Sequence, residues 1–572
     1  MTAAVQTLWA ELIVGTLVDA GVATCVVSPG SRSTPLVAAL AADGRLELPT
    51  IIDERAAAFF ALGIARATGV PVAMVCTSGS AAAHYLPAIV EAGEAGVPLI
   101  AITANRPPEL QHCGASQTID QLGLYGSFVR AAYDLGAPVG SALALRAVRR
   151  TIVQAVAMAR GPRPGPVHVD VPLRKPLEPA SPSTDDERGL ADVVRELRRR
   201  PIHAHEPRLV AAPAGISALA AAIAAEPRGI VIAGAMPPTF DGEAVLALAA
   251  RAGYPVLAEA GSQLRRPRDG VVAVDHFALV DLGARVPDLA PKLVLQLGAE
   301  PVAAGWSALA SVDRWVLADH AWRDPDSSTT GMLVGDIRAT CERLCEQIAA
   351  RDDRGYASAW RDVEARMAGA VERALVAHPR SEGAAMRAAL DVLPANALVQ
   401  IGNSLPIRVV DHVSRASAHV VIAQRGAAGI DGLIASAAGA TYRGAPVLLV
   451  LGDVSFAHDL GGLLAARAAK TPLAILVLDN GGGRIFGGLP IAKAATPTTF
   501  ERFFVTEPHV DPVAVATALG IRAVAATSPA AVAAAVADAL THTGPTVIHA
   551  VVSPTGARDL RLTALELGAT HG

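Results

Sequence analysis

The chain has 572 residues, which at roughly 150 residues per domain predicts three or four domains and not one core. Its net charge of −4 argues against nucleic acid as the main partner, because a phosphate-binding surface shows as a basic excess or a basic stripe. Hydrophobic residues make up 52%, enough to bury large cores, yet no uncharged, proline-free run reaches the ~18–20 residues of a spanning helix.

Glu11 and Asp19 near the N-terminus, with no basic region before an apolar segment, do not fit a secretory leader. Five scattered cysteines make a disulfide framework improbable and fit a reducing, cytoplasmic setting. Cys341 and Cys345 lie four apart without a matching Cys/His pair, so small-residue packing is expected of them. The 45 arginines against four lysines read first as compositional bias.

In chain order, short β-branched runs alternate with Ala/Leu-rich helical patterns, the signature of parallel α/β layers. The first region predicts strands at 24–28, 72–77, 97–103 and 167–171, with helices at 56–67 and 81–94. Residues 178–207, rich in Pro, Ser and charge, read as a linker with one exposed helix. A second region predicts strands at 230–233, 256–259, 293–297 and 315–318, ends at the charged segment 351–355, and is followed by a helix over 359–376. The third predicts strands at 398–401, 420–423, 447–451, 473–478 and 546–552. Three stacked α/β domains with parallel sheets are therefore expected, over 1–185, 208–352 and 375–572. Ligands of such sheets bind beyond the carboxyl ends of the strands, so the loops there carry the chemistry.

One pair of loops is distinctive. Gly452-Asp453 follows the strand 447–451, and the strand 473–478 runs into Asp479-Asn480-Gly481-Gly482-Gly483. In a right-handed βαβ unit Asp453 and Asn480 emerge at one sheet edge. A carboxylate, an amide oxygen and a backbone carbonyl form hard-oxygen coordination suited to Mg²⁺, and consecutive glycines let backbone N–H groups approach phosphate. Two unconnected turns would also explain these residues. Glu54 stands at a strand end immediately before the helix 56–67, where the helix dipole alone would favour a glutamate. Four arginines (Arg32, Arg106, Arg408 and Arg425) occupy loops after strands, and their planar forks suit a polyanionic substrate.

Gly-Asp-X followed by Asn at this spacing resembles the diphosphate–metal motif of thiamine diphosphate-dependent enzymes. The resemblance implies the three-domain fold of their decarboxylase type, with 1–185 holding the cofactor's pyrimidine, 208–352 central and 375–572 holding its diphosphate. It implies Asp453, Asn480 and the Gly482 carbonyl as ligands of Mg²⁺, with Mn²⁺ as an alternative, and Glu54 as the catalytic carboxylate on the pyrimidine nitrogen. Further cofactor contacts implied are Thr77, Gly402, Ser404, Gly426, Gly452, Val454, Ser455, Gly483, Ile485 and Phe486.

The loops Ser28–Pro35, Thr77–Ser80, Thr103–Pro108, Gly114–Gln121, Gly402–Arg408 and Gln424–Gly432 narrow the resemblance to the transferases of menaquinone biosynthesis that use 2-oxoglutarate and isochorismate. By that pattern Ser31, Arg32, Arg106 and Gln117 face isochorismate, and Ser404, Arg408 and Arg425 orient the succinyl portion or a shared acceptor pocket. A homodimer or homotetramer with intersubunit active sites is implied, with no membrane span. The arginines speak against acetolactate synthase-like and simple oxo-acid decarboxylase-like relatives, whose acceptors are smaller or less charged. Retention of Glu54 speaks against a non-catalytic sensor, and no strand is followed by Gly-X-Gly-X-X-Gly, against a nicotinamide dehydrogenase.

The chain departs from the pattern at Val454 and Asp479, where many members have Gly and Asn, and at His84, where Asn is usual; a satisfied helix histidine is expected there. The loop Gly298–Gly305 lacks a basic pair that some members carry, leaving Arg265, Arg266 and Arg268 as candidates to replace it.

Overall fold

A computed structural model describes residues 2–266, 269–280, 282, 289–352 and 355–569. Arg268, and Asp353 and Arg354 of the expected boundary, lie outside the described residues.

Three all-parallel sheets account for the strands. The first contains β1 (Cys25–Val27), β2 (Val72–Cys76), β3 (Leu99–Asn105), β4 (Ala132–Asp134) and β5 (Val167–Pro172) in the order β1-β2-β3-β5-β4. The second contains β6 (Gly229–Ala233), β7 (Val256–Ala258), β8 (Leu293–Leu297), β9 (Asp313–Ala318) and β10 (Gly331–Val334), ordered β10-β9-β8-β6-β7. The third contains β11 (Leu398–Ile401), β12 (Val420–Ala423), β13 (Val447–Gly452), β14 (Pro472–Asp479), β15 (Arg522–Ala526) and β16 (Gly544–Val551), ordered β12-β11-β13-β14-β16-β15. Central strands such as β2 and β3 are buried throughout, as parallel strands covered on both faces must be.

By contacts the chain divides into two compact units. One comprises 1–207 with 426–443 and 459–470, and holds the first sheet. Its helix Glu54–Thr68 is buried from Ala56 to Ala67 and packs on the helix Leu433–Ala440. The approach requires glycine: a Cβ on Gly63 would strike the Ser436 carbonyl, and one on Gly439 the Phe60 carbonyl.

The segment read as a linker is folded onto this unit. Helix Asp185–Arg199 opens on a capping box between Thr184 and Glu187 and buries Val194 and Leu197 in the first sheet's core. Leu190, Ala191 and Val193 pack partly buried against the same core, an apolar face that the charged composition concealed. The helix expected over 81–94 is two helices, Ser80–His84 and Leu86–Ala95. They meet at the fully buried Tyr85, and Pro87 stands in the second one's first turn.

The other unit comprises 208–425, 444–458 and 471–572 and holds the second and third sheets. Cys341 is fully buried in a core of the second sheet and Cys345 packs against it, so the pair serves packing. Among the described residues no helix is long and apolar enough to cross a membrane.

Candidate active site

In the second unit, parallel pairing of β13 with β14 sets Gly452 opposite Leu478, so Asp453 and Asn480 emerge from neighbouring strands at one edge. Asp453 opens the helix Asp453–His458 and is buried. Its carboxylate accepts the Val454 amide at 2.8 Å and the Gly482 amide at 2.6 Å. Gly482 has φ +112°, and a Cβ there would strike the Val505 carbonyl. The Gly482 carbonyl, expected to face a metal, accepts the Arg484 amide at 2.8 Å, so Gly482 meets Asp453 through its N–H.

Asn480 is also buried. Its Nδ2 donates to Glu382 Oε1 at 3.0 Å, whereas its Oδ1 is buried with no hydrogen-bond partner. Burial pushes the Asp453 carboxyl up, and the Asp479 carboxylate beside it adds to the rise. Asp479 is drawn down, chiefly by His549, whose Nε2 lies 2.8 Å from Asp479 Oδ2. A crowded, buried carboxylate next to an orphaned amide oxygen is a donor set that a hard divalent cation fits: its charge offsets the crowding and its coordination satisfies the oxygen.

The remaining cofactor candidates of this unit lie around these strand ends. Gly452 ends β13, and Val454 and Ser455 lie in the helix Asp453–His458. Gly402 follows β11 and its amide donates to the Val450 carbonyl at 2.8 Å. Gly483 donates to Val505 O at 2.6 Å, and Ile485 and Phe486 form the turn Arg484–Gly488, with Phe486 edge-on to Phe504 at 5.6 Å.

Ser404 (φ +72°) starts the helix Leu405–Val413, and its carbonyl accepts Arg408 Nη1 at 2.7 Å. Arg425 Nη1 donates to Asn403 Oδ1 at 2.9 Å. Burial, then the nearby charge of Arg425, lowers the pKa of Arg408. Arg265 is no substitute for the missing basic pair. Its guanidinium is spent on Ala258 O, Ser414 Oγ, Asp275 O and Asp411 Oδ1, the last at 3.0 Å. Arg266 is half-buried beside it.

In the first unit, Asp53 caps the helix Glu54–Thr68 by accepting the Arg55 and Ala56 amides at 2.9 and 3.4 Å. The cap thus falls to Asp53, and Glu54 at the helix start is half-buried with no capping role. Thr77 follows β2, is buried, and accepts the Arg32 amide at 3.2 Å. Arg32 is buried with Nη1 on the Leu173 carbonyl at 2.7 Å and Nε unpartnered; burial and the charge of Arg106 both lower its pKa. Arg106 makes two 3.2 Å bonds to Ser116 O.

Ser31 is exposed beside Arg32 in sequence, and its carbonyl accepts the Thr34 amide at 3.2 Å. Gln117 (φ +55°) is exposed and bonded to the Ser78 carbonyl at 3.0 Å. Gly426 is engaged elsewhere in this unit: its amide and that of Ala427 donate to the buried Glu91, which pairs with Arg66 at 2.6 Å. His84 ends its short helix exposed, where a satisfied histidine was expected.

Two supports went unread in the sequence. Gln121, fully buried, accepts the Gly79 amide at 3.0 Å and donates to Asp170 at 2.9 Å. Asp170 also receives Thr103 and Asn105, and burial lifts its pKa to about 6. A charged residue inside the apolar run of β5 was the available signal. The other is Glu382, second in a Ser-Glu-Gly helix start and 98 positions from Asn480.

The model for the thiamine pyrophosphate enzyme N-terminal TPP binding domain matches residues 9–124, and that for the C-terminal TPP binding domain matches 408–550. The chain is 42% identical to the 2-succinyl-5-enolpyruvyl-6-hydroxy-3-cyclohexene-1-carboxylate synthase of Sorangium cellulosum, over 96% of this chain and 92% of that one. It is 40% identical to the synthase of the same name from Geobacillus kaustophilus, over 87% of each. In structure it is similar to benzoylformate decarboxylase from Polynucleobacter necessarius, with TM-score 0.73 at 17% identity over 96% of this chain and 98% of that one; this is a likeness of fold.

Proposed function

The chain belongs to the family of 2-succinyl-5-enolpyruvyl-6-hydroxy-3-cyclohexene-1-carboxylate synthases, which are thiamine diphosphate enzymes, and we infer that it joins 2-oxoglutarate to isochorismate in menaquinone biosynthesis. The observation that supports these substrates is the grouping of four strand-end arginines into two like-charged pairs, Arg32 with Arg106 and Arg408 with Arg425. Among the described residues none of the four is ion-paired to a carboxylate; their hydrogen bonds go to backbone or amide oxygens. Burial first, and then the like charge of its neighbour, lowers the pKa of Arg32 and of Arg408, a cost that an incoming carboxylate relieves. Both substrates are dicarboxylates.

When bound, thiamine diphosphate supplies the electron sink that allows loss of carbon dioxide from 2-oxoglutarate and transfer of the remaining four-carbon unit. Asp453 and Asn480, with Gly482 as third member, would hold Mg²⁺ against its diphosphate, and Mn²⁺ suits the same donors. Thr77, Gly402, Ser404, Gly426, Gly452, Val454, Ser455, Gly483, Ile485 and Phe486 are assigned to the cofactor's flanks, with 1–185 taking its pyrimidine end and 375–572 its diphosphate end. Glu54 would hold a proton toward the pyrimidine end of the cofactor. Arg32 and Arg106, with Ser31 and Gln117, hold isochorismate, and Ser404, Arg408 and Arg425 hold the succinyl portion. The active enzyme is assigned as a homodimer or homotetramer with sites shared between subunits.

Incubation with thiamine diphosphate, Mg²⁺, 2-oxoglutarate and isochorismate should consume isochorismate, followed by its absorbance. No turnover, or equal turnover with pyruvate as donor, contradicts the assignment. Arg106→Ala removes one charge-assisted contact and should raise the KM for isochorismate roughly 10- to 100-fold at saturating 2-oxoglutarate, the equivalent of about 1.5–3 kcal/mol. An unchanged KM would remove Arg106 from the acceptor pocket.

A further inference from the structure

We propose that Glu382 is a positioning residue for the divalent cation: by engaging the amide nitrogen of Asn480 it leaves the amide oxygen as the end offered to the metal. The inference rests on the reading of Asp453 and Asn480 as cation ligands and adds a residue that reading does not contain.

An asparagine amide has two ends of nearly equal size, and only the oxygen can ligate a cation; the NH₂ end repels it. A carboxylate within hydrogen-bond distance decides between them, because it can accept from the nitrogen and cannot accept from the oxygen. Glu382 Oε1 lies 3.0 Å from Asn480 Nδ2, and Asn480 Oδ1 is the buried atom left without a partner.

Apart from Asn480, the Glu382 carboxyl meets backbone groups, those of Glu382 itself and of Ala557. The residue is 2% exposed at the first position of the helix Glu382–Leu390, where Ser381 already supplies the cap by accepting the Ala384 amide at 3.1 Å. Among the described residues it forms no ion pair with a basic group, and a buried carboxylate without one is costly. A nearby divalent cation relieves that cost. The site is also shaped for it: Gly556 leaves room where a Cβ would come within 2.9 Å of Glu382 Oε2 and 2.7 Å of the Ser381 Cα.

The test is calorimetric titration of Mg²⁺ into the full chain with thiamine diphosphate present. Loss of an outer partner of a metal ligand weakens affinity roughly 10- to 100-fold, and Glu382→Ala is expected in that range. Glu382→Gln keeps a carbonyl that can accept from Asn480 but gains an NH₂ that can donate to it and loses the charge, so it should bind Mg²⁺ more weakly than wild type and more tightly than Glu382→Ala. Combined with Asn480→Ala, the Glu382→Ala change should add nothing further. The proposal is overturned if Glu382→Ala binds Mg²⁺ like wild type, if Glu382→Gln is as weak as Glu382→Ala, or if the two losses add. Should Glu382→Ala fail to fold, Glu382→Asp withdraws the carboxylate by one methylene and is expected to weaken binding in the same way; wild-type affinity there overturns the proposal equally. If Asn480→Ala itself binds Mg²⁺ like wild type, the reading of Asn480 as a ligand fails, a result distinct from those above.

Discussion

Glu54→Gln is expected to lower kcat by roughly 100- to 10,000-fold, the range of a positioned proton-transfer group, while thiamine diphosphate still binds. The side chain keeps its size and loses only its capacity to hold or yield a proton. The helix it opens is capped by Asp53, so Glu54 is not needed to start it. Thermal denaturation should therefore place the variant within about 0.5 kcal/mol of wild type, as for substitutions away from structural contacts. Steady-state rates together with calorimetric cofactor titration check both halves. Wild-type turnover would remove Glu54 from catalysis, and loss of the fold would assign it a structural role instead.

Asp453→Asn should produce the second large effect, on cofactor binding and not on chemistry. Asp453 is the proposed charged ligand, and removing such a group costs more than disturbing an outer partner, so Mg²⁺ affinity in the presence of thiamine diphosphate should fall by at least ~100-fold. Without metal and cofactor the effect on stability reverses. Burial and the neighbouring Asp479 raise the folded-state pKa of Asp453, so its ionised form opposes folding. For an acid whose folded pKa is raised, the favourable contribution is present below the unfolded value and lost as pH rises through the folded one. At pH 8 the metal-free Asp453→Asn protein should thus be at least as stable as wild type, measured by thermal denaturation. A variant that is destabilised without metal yet binds Mg²⁺ normally would mean that Asp453 serves the fold.

The buried apolar strands were readable because parallel strands covered on both faces leave near-continuous β-branched runs, as in β3, β8 and β13. The strands missed are edge strands: β4 at one end of the first sheet, β10 of the second and β15 of the third. Residues of β4 and β15 are largely exposed, so Ala132-Tyr133-Asp134 and Arg522–Ala526 carry no apolar run to mark them.

The site divides in the same way. Asp453 and Asn480 could be paired from sequence because the crossover that joins their strands has a fixed hand and length. Glu382 could not, because its partner lies on a different element and only packing brings the two together. Arg265 misled for the opposite reason. Its charge suggested an anion site, but Asp411, Ser414 and two backbone carbonyls consume its donors, and no sequence pattern announces carbonyls.

The most direct test of the whole account is the balance between carbon dioxide released from 2-oxoglutarate and isochorismate consumed, followed together with thiamine diphosphate and Mg²⁺ present. Equal amounts of both are expected in the wild type, formed at least ~100-fold more slowly in Glu54→Gln. Carbon dioxide released without matching loss of isochorismate would mark a simple oxo-acid decarboxylase and contradict the account.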